Sequence, residues 1–433
     1  MKAIALDSQN FLFPWDKGAP PLVDPLALPE IGLQAWNILA EDLPLPAAVI
    51  RESALRQNRA WMKSFLAGES VQFAPHGKTS MSPELFEMQL DDGAWAITLS
   101  TPHQIKAARC AGHNRIFLAN QLVGRRAIEG VLGELGNDPD FDFYCLIDDL
   151  TNANAIARAA AKHRLARPVN VLIELGYPGG RTGCRTVDQA LELARSVAGL
   201  PELSLAGIEG FEGLLVSPSA EEAAVLVTSF LERLVGLAEQ CAAEGLFRCE
   251  TPMLSAGGSS YYDLVAPRLR SARLGRAHRV VLRSGCYITH DSMMYTRAFE
   301  RLRQRSPGLV AQATDSPRPA LEVWAYVQSR PEEVKAIVGL GKRDISHDEA
   351  PLPLKWFRPD GSMKAPTEFP RGFRVTGLND QHLHMSLPAD SPLRVGDMIG
   401  FGVSHPCLTF DKWRVIHLVD DDYRITGSVR TYF

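Results

Sequence analysis

The sequence has no CxxC pair; its seven cysteines lie scattered over 433 residues. An odd, dispersed set excludes a disulfide framework and gives the expectation of a reducing, cytoplasmic setting. No apolar run reaches the roughly 18 residues a membrane helix needs. The opening stretch Met1–Asp7 meets an acid at once and has no signal-peptide apolar core. Neither charge sign is in excess. A net charge of −4 leaves no electrostatic case for nucleic acid or an anionic membrane as partner. Repeats and low-complexity tracts are also lacking.

What is present is an ordinary globular composition, 45% hydrophobic and 22% charged. The length predicts two domains. Residues 1–69 carry Pro20, Pro21, Pro25, Pro29, Pro44 and Pro46. They read as an extension that packs partly on a later β domain and ends in a helix near Glu52–Leu66. From 70 to 304 short apolar runs alternate with helical segments. The runs are Gln72–His76, Ala94–Leu99, Arg115–Leu118, Phe143–Ile147, Asn170–Leu175, Leu205–Ile208, Pro252–Ser255 and His278–Leu282. Strands linked by helical crossovers predict a parallel α/β domain, either an open doubly wound sheet or a closed (β/α)8 TIM-type barrel. The barrel would set the polar strand ends on one rim, where active sites gather. From 305 to 433 prolines punctuate alternating runs such as Leu321–Val327, Met398–Val403, Trp413–Val419 and Arg424–Thr431, which predicts a mainly β domain.

Four stretches carry chemistry. Lys78 follows the first apolar run in Pro75-His76-Gly77-Lys78-Thr79. A strand-end lysine is either a solvated surface charge or, where burial lowers its pKa, an amine for a Schiff base. Ser255-Ala256-Gly257-Gly258-Ser259-Ser260 follows the seventh run. It reads as a flexible turn or as a phosphate loop, the glycines letting N–H groups approach an anion. Arg181 sits in the glycine-rich stretch after Glu174, either as a loop cap or as a fixed charge at a site. His405-Pro406-Cys407 places imidazole and thiol two apart. Such a pair is either a structural cysteine beside a surface histidine or two ligands of one metal, zinc being favoured by sulfur.

In order, Pro75-His76-x-Lys78-Thr79, Glu174-Leu175-Gly176 with Arg181-x-Gly183, Ser255-x-Gly257-Gly258-Ser259, Gly285-x-Tyr287 and Ser404-His405-x-Cys407 form a set. The set resembles the D-serine dehydratase and D-threonine aldolase family. Those are fold-type III pyridoxal phosphate enzymes with an alanine-racemase-like N-terminal barrel and a C-terminal β domain. The resemblance runs from about residue 70 to 433.

It implies that Lys78 is the cofactor-binding and catalytic lysine, with His76 lining the cofactor and Arg181 near its ring. It implies that Ser255, Gly257, Gly258, Ser259 and Tyr287 hold the phosphate, and that His405 and Cys407 hold Zn2+, with Mn2+ as the alternative. The expected activity is dehydration and deamination of a D-serine-like D-β-hydroxy amino acid to a 2-oxo acid and ammonia. The cysteine ligand favours this over D-threonine aldolase, whose second ligand is an acid. Larger substrates such as D-threo-3-hydroxyaspartate or D-glucosaminate, a non-catalytic pyridoxal phosphate carrier and a racemase are the further alternatives. A homodimer with the site completed across its interface is also implied. The chain departs from the family pattern at Ser80-Met81, at Gly339, at Phe211 in place of a tyrosine, and in a phosphate loop without a glycine triplet.

Overall fold

The computed structural model describes residues 11–258, 260–311, 315–369 and 372–433. Its first domain is a parallel ring. The strands are β2 (Gln72–Phe73), β3 (Ile97–Leu99), β4 (Arg115–Gln121), β5 (Asp142–Ile147), β6 (Val169–Leu175), β7 (Leu203–Gly210), β8 (Met253–Ala256) and β9 (Arg279–Leu282). These eight pair in the order β2-β9-β8-β7-β6-β5-β4-β3. The two ends meet as well: Trp95 N donates to Phe73 O at 2.6 Å and Thr98 N to Pro75 O at 2.9 Å. A parallel bridge between His76 and Thr98 completes the closure. Of the two topologies open to the sequence, the chain therefore adopts the curled, alanine-racemase-like barrel. Each of the eight runs predicted from apolar patterning overlaps one of its strands.

Alternation along the strands explains the layering. Ile116, Leu118, Val171, Ile173, Val280 and Leu282 face the surrounding helices. Between them Phe117, Leu172 and Val281 point inward and join Ala74, Ala96, Leu146 and Met253 in a small interior cluster. Period two then sets what comes next towards the strand C-termini. His76, Thr98, Glu174 and Arg283 follow Ala74, Ala96, Leu172 and Val281 by two residues, and Glu209 alternates with outward-facing Ile208. A polar layer thus lies directly on an apolar one at the mouth of the barrel.

The helices cover the outside. The crossover α7 (Ala220–Ala243) buries Val227, Phe230, Leu231, Leu234 and Leu237, and Ser219 caps it by accepting from Glu222 N. After β9 the chain makes a 3-10 turn, Cys286–Ile288, and then α9 (Met294–Arg305).

The second domain is a sheet of ten strands. Its centre is β10 (Leu321–Glu332), which pairs with β15 (Met398–Gly402) on one side and with β1 (Ala47–Arg51) on the other. The N-terminal extension therefore supplies a strand to the C-terminal sheet. Leu12, Ile31 and Ile38 pack with Trp324, Met398 and Tyr423. Tyr287 is packed against the cores of both domains. Among the described residues no helix is long and apolar enough to cross a membrane.

Candidate active site

Lys78 lies in a 3-10 turn, Gly77–Thr79, immediately beyond the first barrel strand. Its side chain is exposed and makes no hydrogen bond or ion pair among the described residues. The loop after β9 is pressed against this turn. A Cβ on Gly285 would lie 2.6 Å from His76 O and 2.6 Å from Thr79 Oγ1, so only glycine fits. That contact sets Thr79 against Cys286, Oγ1 and Sγ being 3.8 Å apart.

His76 points into the mouth. Its imidazole is held well below the usual range, chiefly by burial, with Lys78, Arg283 and Arg181 as three neighbouring cations adding to the effect. It is a neutral ring at neutral pH, and its buried Nδ1 has no hydrogen-bond partner among the described residues. Arg181 reaches the same region. Its guanidinium lies 4.9 Å from the Phe211 ring centroid, on a loop braced by Arg185 donating to Thr182 O at 2.9 Å. Below them Glu209 and Arg283 form a buried ion pair, and Glu174 accepts from Thr182 Oγ1 at 2.6 Å. His76, Lys78 and Arg181 thus share one electropositive mouth.

The glycine loop behaves as an anion site, with an internal occupant. Gly257 N donates to Glu212 Oε2 at 3.0 Å and Gly258 N to Glu212 Oε1 at 2.7 Å. Gly258 has φ +73°, the left-handed region that favours glycine. Glu212 is fully buried, and burial pushes its carboxyl up while the loop amides oppose that shift. Other predicted phosphate ligands are engaged elsewhere. Ser255 Oγ donates to Val281 O at 2.9 Å, tying β8 to β9. Tyr287 stacks edge-on to Phe73 at 5.2 Å, with its hydroxyl on Gln89. Ser259 lies outside the described residues.

His405 and Cys407 do come together, and a third group joins them. The ligand atoms of Cys286, His405 and Cys407 all lie within 4.8 Å of one another. Cys286 Sγ is 3.7 Å from Cys407 Sγ. Thr79 Oγ1 is 3.8 Å from the first sulfur and 3.5 Å from the second. The Cys407 thiol is lowered to about 4, mainly by the hydrogen bond from Cys286, with His405 and Thr79 contributing. The Cys286 thiol is correspondingly pushed up, so Cys407 is the thiolate of the pair. His405 is raised by its contact with Cys407.

Asp348 holds the histidine. Its Oδ2 lies 3.1 Å from His405 Nδ1, and its Oδ1 accepts from Ser404 Oγ at 2.6 Å. With Nδ1 taken by a carboxylate, Nε2 is the nitrogen free for a metal. Asp348→Asn is expected to weaken zinc binding by about 10- to 100-fold, measured by competition with a chromogenic chelator. Unchanged affinity would make Asp348 irrelevant to the metal.

Sequence reasoning missed Asp348 and Arg283, and it noted Glu212 only as a polar strand end and Cys286 only in the loop after the last strand, with no ligand role for either. Arg283 was accessible by continuing the β9 alternation two residues past Val281. The ligand role of Cys286 was not, because its partner is 121 residues away in the other domain.

A lysine on the rim of a parallel barrel, an anion-binding glycine loop and a second β domain define the fold-type III pyridoxal phosphate class. Residues 50–278, more than half of the chain, match the family model for the alanine racemase N-terminal domain, and residues 320–419 match the putative serine dehydratase domain. The chain belongs to the family defined by the alanine racemase N-terminal domain, and its second domain is similar to the putative serine dehydratase domain.

It is 24% identical to D-threonine aldolase from Arthrobacter sp. over 218 residues, 50% of this chain and 56% of that relative. The chain thus spans little more than half the length of the curated relative it matches. Two solved structures share the fold over nearly the whole chain. D-threonine aldolase from Filomicrobium marinum superposes with a TM-score of 0.70 at 19% identity, covering 90% of this chain and 95% of that one. D-threo-3-hydroxyaspartate dehydratase from Delftia sp. HT23 superposes at 0.69 and 20% identity, covering 92% and 99%. A cysteine-to-alanine mutant of a D-threo-3-hydroxyaspartate dehydratase, which also shares the fold, has been solved in a metal-free form.

Proposed function

We propose that this chain is a pyridoxal phosphate- and zinc-dependent dehydratase that deaminates a D-serine-like D-β-hydroxy amino acid. The carrying observation is Thr79. It adjoins Lys78 and touches both sulfurs of the Cys286–His405–Cys407 cluster. The turn that carries Lys78 therefore also touches the metal-binding cluster, which suits removal of a Cα proton and departure of a β-hydroxyl at neighbouring positions.

The residues fit the cofactor. Lys78 is unpartnered among the described residues, three cations neighbour His76, and the Gly257–Gly258 amides donate to the Glu212 carboxylate, which supports an oxyanion there. Pyridoxal phosphate, when bound, supplies an electron sink that acidifies the Cα–H of an attached amino acid. Lys78 would hold it covalently and, once freed, remove the Cα proton. His76, neutral, offers its nitrogen lone pair beside the lysine without adding charge. Arg181 supplies a fixed positive charge next to the ring. His405 and Cys407 would hold zinc, a donor pair better suited to it than to manganese or magnesium, and zinc supplies a Lewis acid for the β-oxygen. The metal-free form of the D-threo-3-hydroxyaspartate dehydratase mutant supports a metal in such enzymes.

Water leaves the substrate and returns in hydrolysis, so the products are a 2-oxo acid and ammonia. The test is product analysis. D-serine should yield pyruvate and ammonia in equal amounts; glycine in its place would refute dehydration. Likeness to D-threonine aldolases favours the second reading, retro-aldol cleavage by the same groups. Likeness to the Delftia enzyme makes D-threo-3-hydroxyaspartate a substrate to include.

Exposed Val123, Leu214 and Val216 lie on loops leaving the C-terminal ends of barrel strands, and exposed Leu150 opens the helix after β5. An apolar fringe there supports a homodimer that covers the mouth. Glu212 competes with the cofactor for the loop amides. Glu212→Gln is therefore expected to tighten inorganic phosphate binding about tenfold by calorimetry. Weaker phosphate binding would instead make Glu212 a support of the loop.

A further inference from the structure

We propose that Cys286 is a third protein ligand of the metal, so that the centre is a two-thiolate, one-imidazole site that bridges the two domains. The inference rests on the metal reading above and deepens it.

The first argument is geometric. Two sulfurs bound to one tetrahedral zinc, each about 2.3 Å from the ion, lie about 3.8 Å apart. The Cys286–Cys407 separation is 3.7 Å, and the histidine nitrogen falls within the same 4.8 Å cluster. The sulfurs already stand at the spacing one ion requires.

The second argument is the surroundings of the thiol. Cys145, also buried, lies in the apolar core of the barrel, where burial alone pushes its thiol up to about 12. Cys286 is buried to the same class but meets Cys407, the Thr79 hydroxyl and the Tyr295 phenol. A cysteine that only fills space does not gather three polar partners.

The third argument is the position in the chain. Cys286 opens the turn that follows the last barrel strand, and His405 and Cys407 follow β15 of the second domain. Asp348 cannot be the third ligand while it holds His405 Nδ1. Three protein ligands leave one position of a tetrahedral ion for a substrate oxygen, the arrangement of catalytic zinc. The same ion would fasten the β domain to the turn after β9, against which the Lys78 turn packs.

X-ray absorption on the zinc-loaded, unmutated protein counts sulfurs directly. Two sulfurs per zinc are expected; one sulfur would overturn the proposal while leaving a metal on His405 and Cys407. In the cobalt-substituted protein the thiolate charge-transfer band should fall to about half in both Cys286→Ser and Cys407→Ser, because its intensity follows the number of thiolates. A Cys286→Ser protein with the full band and native zinc affinity would also refute it. A protein that binds no zinc at all would remove the metal reading and this inference together. Bridging adds a separate readout. Zinc should raise the Tm of the native protein, and Cys286→Ser should lose most of that rise with its far-UV spectrum unchanged.

Discussion

Replacing Lys78 with alanine is expected to lower turnover by at least ~1,000-fold, the scale of losing both a covalent anchor and a general base. It should also remove the yellow absorption of the bound cofactor and any borohydride-fixed label at this position. Folding should be little affected, because the side chain is exposed and supports no hydrogen bond among the described residues. The turn itself rests on the close approach of Gly285 and on Thr79, neither of which is altered. An added small primary amine should restore part of the proton transfer, since the cavity left by the lysine opens to solvent. A Lys78→Ala protein that keeps the colour and a reducible lysine adduct would place the chemistry elsewhere.

Removing the metal is the second large effect. Exhaustive chelation, or His405→Ala, should reduce elimination by at least ~100-fold, since a Lewis acid is worth several kcal/mol at a poor leaving group. The cofactor colour should survive both treatments, because Lys78 and the mouth cations lie on the barrel rather than on the His405 loop. That split separates a metal acting on the β-oxygen from one that merely props up the fold. Cys407→Asp adds a sharper version. A carboxylate in place of the thiolate should move metal preference from zinc towards manganese. Full activity of metal-free protein would remove His405 and Cys407 from the reaction.

The barrel was legible because its physics is local. Apolar runs of strand length, separated by amphipathic helices, gave every strand of the ring, and α7 begins and ends where its periodicity does, at Ala220 and Ala243. The second domain was legible only as β. Alternation gave β10 and β15 but says nothing about which strands are neighbours, and β1 arrives from some 270 residues upstream of its partner. Helix α9 was missed because its exposed, arginine-rich face leaves Leu302 as its one fully buried residue, so it carries little apolar stripe to read.

The site was legible in its motifs and not in its contacts. Lys78, His76 and Arg181 share the mouth because strand ends of a barrel converge, which the topology implies. That Glu212 sits on the glycine amides follows from neighbouring strand ends and cannot be seen in one stretch. That Ser255 spends its hydroxyl on Val281 O reflects strand register. The pairing of Cys286 with Cys407 depends on how the two domains dock, which no local pattern encodes.

The most direct test of the central claim is product analysis of the zinc- and pyridoxal phosphate-loaded protein on a panel of D-serine, D-threonine and D-threo-3-hydroxyaspartate. The account predicts equal amounts of 2-oxo acid and ammonia from at least one of them, lost on chelation and regained with zinc. Glycine plus an aldehyde, or 2-oxo acid formation indifferent to the metal, would contradict it.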